Sequence, residues 1–506
     1  MNMDYTNKDT NKDKDIFSDT ASVSGGGKSS RSSKSKSSKS GTKKKKSSSS
    51  TRKIIYFDNN ATTMVCDYAK KASAKWISAY NVSTDSHIAQ PAKKLLSDCI
   101  NRILAQCGVN TASHTALFTS GATESNSFIL RACVASYKKK LFEKNMAHTK
   151  PHIIISSTEH SSIIECARHL EENNDAEITR IAPTIYGNVL AEDVVEAIKP
   201  NTCLICVMYA NNEIPVINNI DAILDKIGDI PLHCDCVQLF GKYKIDLGKK
   251  NIASLSASFH KFYGPKGVGV CILKNDFIHG YELRAEICGS QQHSLRGGTE
   301  NIAGMAAGMA ALEYAHQNRK KKNEHLFELR NYFLESLKEK FIFGDYESYF
   351  EIDAAEKKHE ELELLSLGPP STHTSFLLPN TVLLAVCKNR GVPFCNIDLK
   401  KFLDKKNCII SIGAACLTKS ADSSHVLVAI GAPSVIKRGV IRVSFCDDNT
   451  KKEIDVFTKY LVEGIKAQCD DIEIARPSSK KTDDEDKNID DEDINDKPKK
   501  SRSKKR

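Results

Sequence analysis

Strand-like and helix-like segments alternate through the middle of this chain, and that alternation restricts its fold more than any other feature of the sequence. Strand-like runs within 115–120, 152–160 and 203–212 are each followed by a segment with helical character. A chain in which strands and helices alternate builds a largely parallel sheet that is covered by helices. We therefore predict an α/β fold for the central part of the chain.

Polar residues stand at or just beyond the ends of the predicted strands. In sheets of this kind, ligands bind outside the carboxyl ends of the strands. We therefore expect the residues at these ends to converge on one pocket. They are Thr123, His160, Asn212, Asp235, Gln238 and Lys261.

Three of these positions carry chemistry that suits one cofactor. The sequence SGATES places Gly121, Ala122 and Thr123 where a strand turns into a helix, and the backbone N–H groups at a helix start attract phosphate. A buried carboxylate at Asp235 needs a cationic or hydrogen-bonding partner, such as a pyridinium nitrogen. A desolvated amine at Lys261 can form a Schiff base with an aldehyde. Each feature alone has an ordinary structural explanation, but together they describe a pyridoxal phosphate site.

The charge of the chain is concentrated outside its central part. The formal net charge is +10 over 506 residues. Residues 1–53 carry +9 and residues 477–506 carry +1, so the region between them is neutral. Both end segments lack the apolar residues that would offset the entropy cost of ordering, and we predict that they are disordered tails. Contact with nucleic acid is expected only through these tails.

The sequence also bears on where the protein works. Five aspartates within residues 1–19 argue against a mitochondrial presequence, which is normally poor in acid. No apolar run has the length of a membrane span, and no secretory signal is found. We expect a soluble, intracellular protein of the cytoplasm that makes no membrane contact, with nuclear import through the basic tails as the alternative.

Seventeen cysteines lie between Cys66 and Cys469, and in a chain without a secretory signal they are expected to be free thiols. The pair Cys203 and Cys206 has CxxC spacing, but it lies in an apolar strand, where residues three apart point to opposite faces. The sequence HCDC at 233–236 has no second pair of ligands at zinc-finger spacing. We therefore predict no metal site.

Over residues 54–465 the chain resembles the cysteine desulfurases, the NifS/IscS-like branch of the class-V aminotransferases, which are fold-type I pyridoxal phosphate enzymes. The resemblance rests on eight motifs in order along the chain. They are YFDNNATT at 56–63, FTSGATESN at 118–126, TEH at 158–160, NNEIPV at 211–216, HCDCVQLFGKYKIDL at 233–247, SFHKFYGPKGVG at 258–269, LRGGTENIAG at 295–304 and SIGAACLTKSADSSHVL at 411–427.

The resemblance implies two domains between the predicted tails. A large cofactor-binding domain with a mixed central sheet is expected over residues 54–310, and a smaller C-terminal α+β domain over residues 311–476. Residues 54–70 are expected to pack with the small domain. The small domain would carry the loop with the reactive cysteine.

The resemblance also implies a role for each residue at the cofactor. Lys261 would hold pyridoxal phosphate covalently, His160 would stack on its ring and move protons, and Asp235 would pair with the ring nitrogen. The remaining contacts would come from Asn212 and Gln238 to the ring oxygen, from Ala122, Thr123, Ser258 and His260 to the phosphate, and from Thr299 to the phosphate of the other subunit. The contact from Thr299 implies a homodimer.

The activity that the resemblance implies is removal of sulfur from L-cysteine. Cys416 falls on the family nucleophile, and its thiolate would take the sulfur and leave alanine and an enzyme persulfide. Arg442 matches the arginine that binds the carboxylate of the substrate, a task that suits its planar guanidinium. The sulfur would then pass to an acceptor, such as an iron–sulfur scaffold protein or an enzyme of thiolation.

The sequence departs from the family pattern beside the site. Phe259 stands where the family has glycine, and we expect this bulky ring near the phosphate to narrow the pocket or change cofactor affinity. Val82 replaces a proline, and the segments 378–386 and 444–448 lack the usual residues. These differences bear on rate and substrate range more than on reaction class.

Two other classes of function remain open from the sequence. Another enzyme of the same fold, an aminotransferase or a selenocysteine lyase, would keep Lys261 and Asp235, and an aminotransferase would have no need of Cys416. A non-catalytic binding protein that used the basic tails would tolerate loss of the cofactor residues, but all of them are present.

Overall fold

The computed structural model describes residues 53–347, 362–388, 394–412 and 424–474. Cys416 and the predicted tails, apart from residue 53, lie outside the described residues. Within these ranges, no helix combines the length and the apolar character that crossing a membrane requires.

The strands of the described ranges form three sheets. In chain order they are β1 Ile55–Tyr56, β2 His114–Thr119, β3 His152–Ser156, β4 Glu177–Ile181, β5 Thr202–Cys206, β6 Leu232–Asp235, β7 Ser254–Ser258, β8 Gly269–Lys274, β9 Ile342–Asp345, β10 Leu362–Leu367, β11 Thr381–Lys388, β12 Cys408–Ile409 and β13 Val440–Ser444.

Helices cover and connect these sheets. In the same ranges they are α1 Asp67–Trp76, α2 Gln90–Gln106, α3 Ala122–Glu143, α4 Ser161–Glu172, α5 Ala191–Glu196, α6 Ile220–Leu224, α7 Asn275–Tyr281, α8 Ile302–His316, α9 Arg319–Lys338, α10 Asn396–Lys405, α11 His425–Ala429, α12 Ser434–Gly439 and α13 Lys451–Ile474.

The large sheet has seven strands in the order β2-β8-β7-β6-β5-β3-β4. Its strands pair in parallel except for β8, which runs antiparallel to both of its neighbours. Successive residues of β3 enter different cores: Ile154 packs on one face of the sheet, and Ile153 and Ile155 pack on the other. Both faces are therefore buried, which explains the nearly continuous apolar runs in the sequence. The predicted α/β fold with a mixed sheet is confirmed.

A second sheet of four strands has the order β13-β11-β10-β9. It pairs antiparallel except between β9 and β10. The short strand β1 pairs with β12, and the carbonyl of Phe57 accepts a hydrogen bond from the N–H of Ser444 in β13 at 2.7 Å, so the start of the described chain lies beside this second sheet. Phe57, which follows β1, packs its ring 5.0 Å from that of Phe445 and 5.2 Å from that of Phe457. Residues 55–57 thus share a hydrophobic core with residues near the end of the described chain.

The strands β3, β5, β6 and β7 are parallel, so their carboxyl ends lie at one edge of the large sheet. The segments that leave this edge contain His160, Asn212, Asp235 and Lys261. Helix α3 begins next to the same edge. The fold therefore brings the predicted strand-end residues to one side of the molecule.

Candidate active site

Lys261 ends the short 3₁₀ turn Phe259–Lys261 that follows β7. Its amine donates hydrogen bonds to the carbonyl oxygens of Asn60 at 2.6 Å and Ala61 at 3.0 Å. Burial, followed by the neighbouring Arg442 guanidinium, lowers the pKa of Lys261 from 10.5 to about 8. More of this amine is therefore neutral near pH 7 than in an ordinary lysine, and only the neutral amine is a nucleophile.

Asn60 is a buried residue that connects Lys261 to three other parts of the site. Its backbone carbonyl, which receives the Lys261 amine, also accepts a hydrogen bond from Nε2 of Gln238 at 3.3 Å. Its side chain donates to the carbonyl of Asn212 at 3.2 Å, and the same carbonyl accepts from Arg442 at 2.7 Å. Asn60 therefore joins Lys261 and Gln238 directly, and it reaches Arg442 through the carbonyl of Asn212. This role of Asn60 was not predicted from the sequence.

Asp235 is buried at the end of β6 and is held from two sides. Its Oδ1 accepts from the backbone N–H of Val237 at 3.0 Å, and its Oδ2 accepts from the side-chain amide of Asn126 at 2.9 Å. The same amide donates to the hydroxyl of Ser162 at 2.9 Å, and that hydroxyl lies 2.9 Å from Nδ1 of His160. A continuous chain of hydrogen bonds thus joins Asp235 to His160 through two residues that were not predicted.

His160 caps the start of α4 with its side chain. Its Nδ1 accepts a hydrogen bond from the backbone N–H of Ser162 at 3.2 Å, so the proton of the neutral ring is assigned to Nε2. Burial lowers the pKa of His160, although the nearby Asp235 opposes this effect. The ring is therefore neutral at pH 7 and can exchange a proton with a bound group at Nε2.

The start of α3 supplies backbone donors at the predicted phosphate end of the site. Gly121 precedes this helix and provides no side-chain cap, so the first N–H groups are available to other acceptors. The N–H of Ala122 donates to Oγ of Ser258 at 3.2 Å, and Thr123 is exposed in the first turn. The start of β8 lies very close to the start of α3, and only glycine fits at residue 269, because a Cβ there would lie 2.5 Å from Cα of Gly121.

His260 lies beside Lys261, and its Nδ1 is 3.1 Å from the hydroxyl of Thr62. Burial, and then the charges of Lys261 and Lys266, lower the pKa of His260 to about 4. The ring is therefore neutral at physiological pH. It can contact a phosphate as a neutral N–H donor but adds no positive charge.

The ring of Phe259 does not lie where we expected it. It is fully buried in the hydrophobic core, 6.2 Å from the ring of Phe118 and 5.1 Å from that of Phe262. Residue 308 is glycine, and a Cβ there would come within 2.6 Å of the Phe259 ring. The missing side chain at Gly308 gives the ring its place in the core, so the expected narrowing of the pocket by Phe259 is wrong.

Thr299 is exposed, at one side of a cavity of about 150 Å³. Ser120 and Arg296 also line this cavity, and Arg296 forms an ion pair with Glu124 at 2.8 Å. Thr299 therefore lies near the start of α3 but has an outward-facing side chain that a second chain can reach.

The donors and acceptors of the site fit pyridoxal phosphate. Oε1 of Gln238 is buried without a hydrogen-bond partner in the described part of the chain, and it can accept a bond from a ring hydroxyl. Asp235 suits a protonated ring nitrogen, and Lys261 suits an aldehyde. Arg442 pairs with Asp58 at 2.7 Å, while its buried Nε has no partner among the described residues and can serve a substrate carboxylate.

Cys416 cannot be placed relative to these residues, because it lies outside the described ranges. The chain is described again from residue 424, and Nε2 of His425 lies 2.8 Å from the carbonyl oxygen of Glu159. Glu159 directly precedes His160 in the sequence. The described chain after Cys416 therefore begins beside the His160 segment.

The cysteines that the structure describes form no disulfide with one another. Cys203 and Cys206 are both buried in β5, and burial raises the pKa of the Cys206 thiol well above its ordinary value. In the described ranges, no three His, Cys, Asp or Glu side chains form a group that could hold a metal ion.

Comparisons with known proteins agree with this geometry. The model of the family Aminotransferase class-V matches residues 55–359. Cysteine desulfurase IscS of Clostridium botulinum is 33% identical over 365 residues, which are 71% of this chain and 81% of that relative. A solved NifS-like protein matches with a TM-score of 0.66 and 25% identity, over 81% of this chain and 99% of its own. SspA in complex with cysteine matches with a TM-score of 0.60 and 27% identity, over 78% of this chain and 100% of its own.

The matched family, the identity to curated relatives and the arrangement of the strand-end residues all point to one group of enzymes. The chain belongs to the class-V aminotransferase family and, within it, to the cysteine desulfurases, which depend on pyridoxal phosphate.

Proposed function

We propose that this chain transfers the sulfur of L-cysteine to its own Cys416, with Lys261, Asp235 and His160 as the residues that serve the cofactor and the substrate. One observation carries the proposal: a lysine with a lowered pKa lies at the same sheet edge as a buried carboxylate that is hydrogen-bonded, through Asn126 and Ser162, to a neutral histidine. Perturbed titratable groups that converge in this way are typical of active sites.

Each of these residues has a distinct task in the proposal. Pyridoxal phosphate, when bound, supplies an electron sink for charge that develops on the substrate. Asp235, fixed by Val237 and Asn126, keeps a ring nitrogen protonated. Lys261 provides the amine that joins the aldehyde, and His160 exchanges a proton with the substrate at Nε2.

Arg442 and Cys416 act on the substrate. Arg442 orients the carboxylate of L-cysteine, since it is buried and already held by Asp58 and the carbonyl of Asn212. The thiolate of Cys416 attacks the substrate sulfur, so that a new S–S bond forms as the C–S bond breaks. The electron pair of the broken bond stays with the three-carbon fragment, which takes up one proton in its place and leaves as L-alanine, while the proton of the substrate thiol stays with the persulfide. The persulfide on Cys416 then passes its sulfur to an acceptor protein, for which we propose an iron–sulfur scaffold or an enzyme of thiolation.

Covalent capture of pyridoxal phosphate by the cofactor-free protein is expected to accelerate as the pH rises through about 8 and to level off above it. The reason is that the pKa of Lys261 is lowered to about 8 and only the neutral amine reacts. At pH 7 roughly one-tenth of such an amine is neutral, against far less than ~1% of an ordinary lysine. The absorbance of bound cofactor, followed across this pH range, measures the midpoint.

Borohydride treatment and peptide mapping identify the lysine that captured the cofactor in the same samples. Fixation on Lys261 with a midpoint near 8 is the expected result. A midpoint close to that of an ordinary lysine, or fixation on another residue, would contradict the role proposed for Lys261.

We also propose a homodimer in which Thr299 of one chain reaches the phosphate held by the other. Thr299 is exposed in the single chain, and the large apolar side chains Met64 and Ile77 are each 73% exposed, which leaves apolar surface for a second copy.

The proposed dimer can be tested by measuring the mass of the protein in solution and the retention of the cofactor. Sedimentation should give the mass of two chains, and Thr299→Val should weaken cofactor retention about 10-fold, since it removes one hydrogen bond to a charged group. Ser290→Ala, at an exposed position nearby, is the control and should retain cofactor like the wild type. A monomer that holds the cofactor tightly, or full retention in Thr299→Val, would speak against the proposed contact.

A further inference from the structure

Tyr263, two residues after Lys261, has a backbone conformation that aromatic residues rarely adopt. Its φ is +68°, in the left-handed region that favours glycine. A strained residue of this kind persists only where its surroundings hold it, and such residues cluster at functional sites. The contacts that hold Tyr263 therefore bear on the position of Lys261.

The backbone on both sides of Lys261 is fastened to Thr63. The N–H and the hydroxyl of Thr63 donate to the carbonyl of His260 at 2.9 and 3.0 Å. The hydroxyl oxygen accepts from the N–H of Tyr263 at 2.7 Å, and the carbonyl of Tyr263 accepts from the N–H of Cys66 at 3.0 Å. These bonds fix the turn at its backbone but leave the long side chain of Tyr263 to be held elsewhere.

Asp447 holds the side chain of Tyr263. The hydroxyl of Tyr263 donates to Oδ1 of Asp447 and lies 3.5 Å from the backbone N–H of the same residue. Only 8% of the Asp447 side chain is exposed, and it forms an ion pair with Lys322 at 2.9 Å. The Lys322 ammonium lies 5.7 Å from the centroid of the Tyr263 ring and 3.8 Å from that of Tyr314. One carboxylate thus ties the turn after Lys261 to helix α9.

A second lysine, Lys242, lies near the same carboxylate. Asp447, Lys242 and Lys322 line one cavity, and the buried amine of Lys242 has no hydrogen-bond partner in the described ranges. Burial, and then the charge of Lys261, lowers the pKa of Lys242 to about 7, while Cys446 and Asp447 oppose this effect. Neutralising Asp447 would therefore remove a counter-charge as well as a hydrogen-bond acceptor.

Asp447 belongs to the segment 444–448, in which this chain departs from the family pattern. We propose that Asp447 is a positioning residue for Lys261: by holding the hydroxyl of Tyr263 it keeps the strained turn in place, and this directs the Lys261 amine toward the cofactor. The inference rests on the proposed role of Lys261 as the residue that binds the cofactor.

The test compares Tyr263→Phe, Asp447→Asn and the double variant in the full-length chain after removal of the cofactor. The rate of covalent capture of pyridoxal phosphate is followed by absorbance, and the product is fixed with borohydride and mapped to Lys261. Each single variant should capture the cofactor on the order of 10-fold more slowly, as expected when a hydrogen bond to a charged group is lost. The double variant should be little slower than the single ones, because both changes break the same contact.

Tyr332→Phe is the matched control. Tyr332 also donates to a carboxylate, that of Asp455 at 2.6 Å, and also lies below a lysine, with Lys451 5.5 Å from its ring centroid. Thermal unfolding of all variants measures any general loss of stability. Slower capture should appear in the Tyr263 and Asp447 variants and be absent from Tyr332→Phe.

The outcomes separate this inference from the proposed function. Wild-type capture rates in both Tyr263→Phe and Asp447→Asn, or slowing that adds up in the double variant, would overturn the role of Asp447. If Tyr263→Phe does not fold, Asp447→Asn decides the question, because it preserves the volume of the side chain. If Lys261→Ala still captures the cofactor covalently at the wild-type rate, Lys261 is not the residue that binds it. In that case the proposed function fails, and not only the inference about Asp447.

Discussion

Replacing Cys416 with serine is expected to abolish sulfur release while the protein still binds pyridoxal phosphate and L-cysteine. The change removes the sulfur acceptor and leaves Lys261, Asp235 and the start of α3 unaltered. Serine is a far weaker nucleophile toward sulfur than a thiolate, so the rates of sulfide and alanine formation should fall on the order of 10³-fold or more. Both products are measured, together with the absorbance change when L-cysteine is added.

Two other cysteines serve as controls for this variant. Cys288 and Cys395 are exposed, so they are accessible to sulfur that is released into solution. Cys288→Ser and Cys395→Ser should retain the wild-type rate. An undiminished rate in Cys416→Ser would show that Cys416 is not the sulfur acceptor. Transfer of the amino group to a keto acid, which turns L-cysteine into 3-mercaptopyruvate with its sulfur retained, would favour the alternative of an aminotransferase.

Replacing Lys261 with alanine should lower turnover as strongly as Cys416→Ser, but through the loss of covalent cofactor binding, which precedes sulfur transfer. The variant lacks the amine that captures the aldehyde, so borohydride should fix no cofactor on the protein and turnover should fall on the order of 10³-fold or more. The backbone donors of α3 and the carboxylate of Asp235 remain, so the cofactor should still bind reversibly and wash out on dialysis. Absorbance before and after dialysis distinguishes the two forms of binding.

Lys266→Ala is the matched control, because Lys266 lies in the segment between the same 3₁₀ turn and β8 but is exposed. It should bind and fix the cofactor like the wild type. Covalent cofactor that survives dialysis in Lys261→Ala would contradict the assignment of this residue.

The large sheet could be predicted from the sequence because its inner strands are buried on both faces. Ile153, Ile154 and Ile155 form an unbroken apolar run for this reason, and such runs are easy to recognise. The segment with helical character that follows the strand-like run within 203–212 forms the short helix Ile220–Leu224. Its start follows Asn219, whose side chain caps it by accepting from the N–H of Ala222.

The second sheet could not be predicted in the same way. Its neighbouring strands β13 and β11 are far apart in the chain, and their register depends on tertiary packing rather than on a local pattern. The division into two domains between residues 310 and 311 stays a prediction. Helix α8, Ile302–His316, runs across that position.

The site residues that carry reactive groups were predicted from the sequence. The site residues that act only through hydrogen bonds were missed. Lys261, Asp235 and His160 stand out because charged or titratable groups at strand ends are unusual. Asn60 and Asn126 carry no charge, and their importance follows only from the partners that the fold brings to them. The sequence holds one faint signal for Asn126, which is that it closes the motif FTSGATESN at 118–126.

Phe259 is a residue that the sequence wrongly placed at the site. Its position next to His260 in the sequence suggested that its side chain also lies beside the phosphate. Phe259 instead begins the 3₁₀ turn after β7, and its ring is directed into the core, where Gly308 leaves room for it. The direction of the Phe259 ring could have been predicted only with the knowledge that Gly308 packs against it in the folded protein.

The transfer of sulfur from L-cysteine to Cys416 is tested most simply by locating the sulfur on the protein after a brief reaction with the substrate. The wild-type protein is incubated briefly with L-cysteine, its thiols are alkylated, and its peptides are analysed by mass spectrometry. We expect one additional sulfur atom on Cys416, none on Cys288 or Cys395, and no such product in Lys261→Ala. Additional sulfur on the exposed cysteines alone, or on Cys416 in Lys261→Ala as readily as in the wild type, would contradict this expectation.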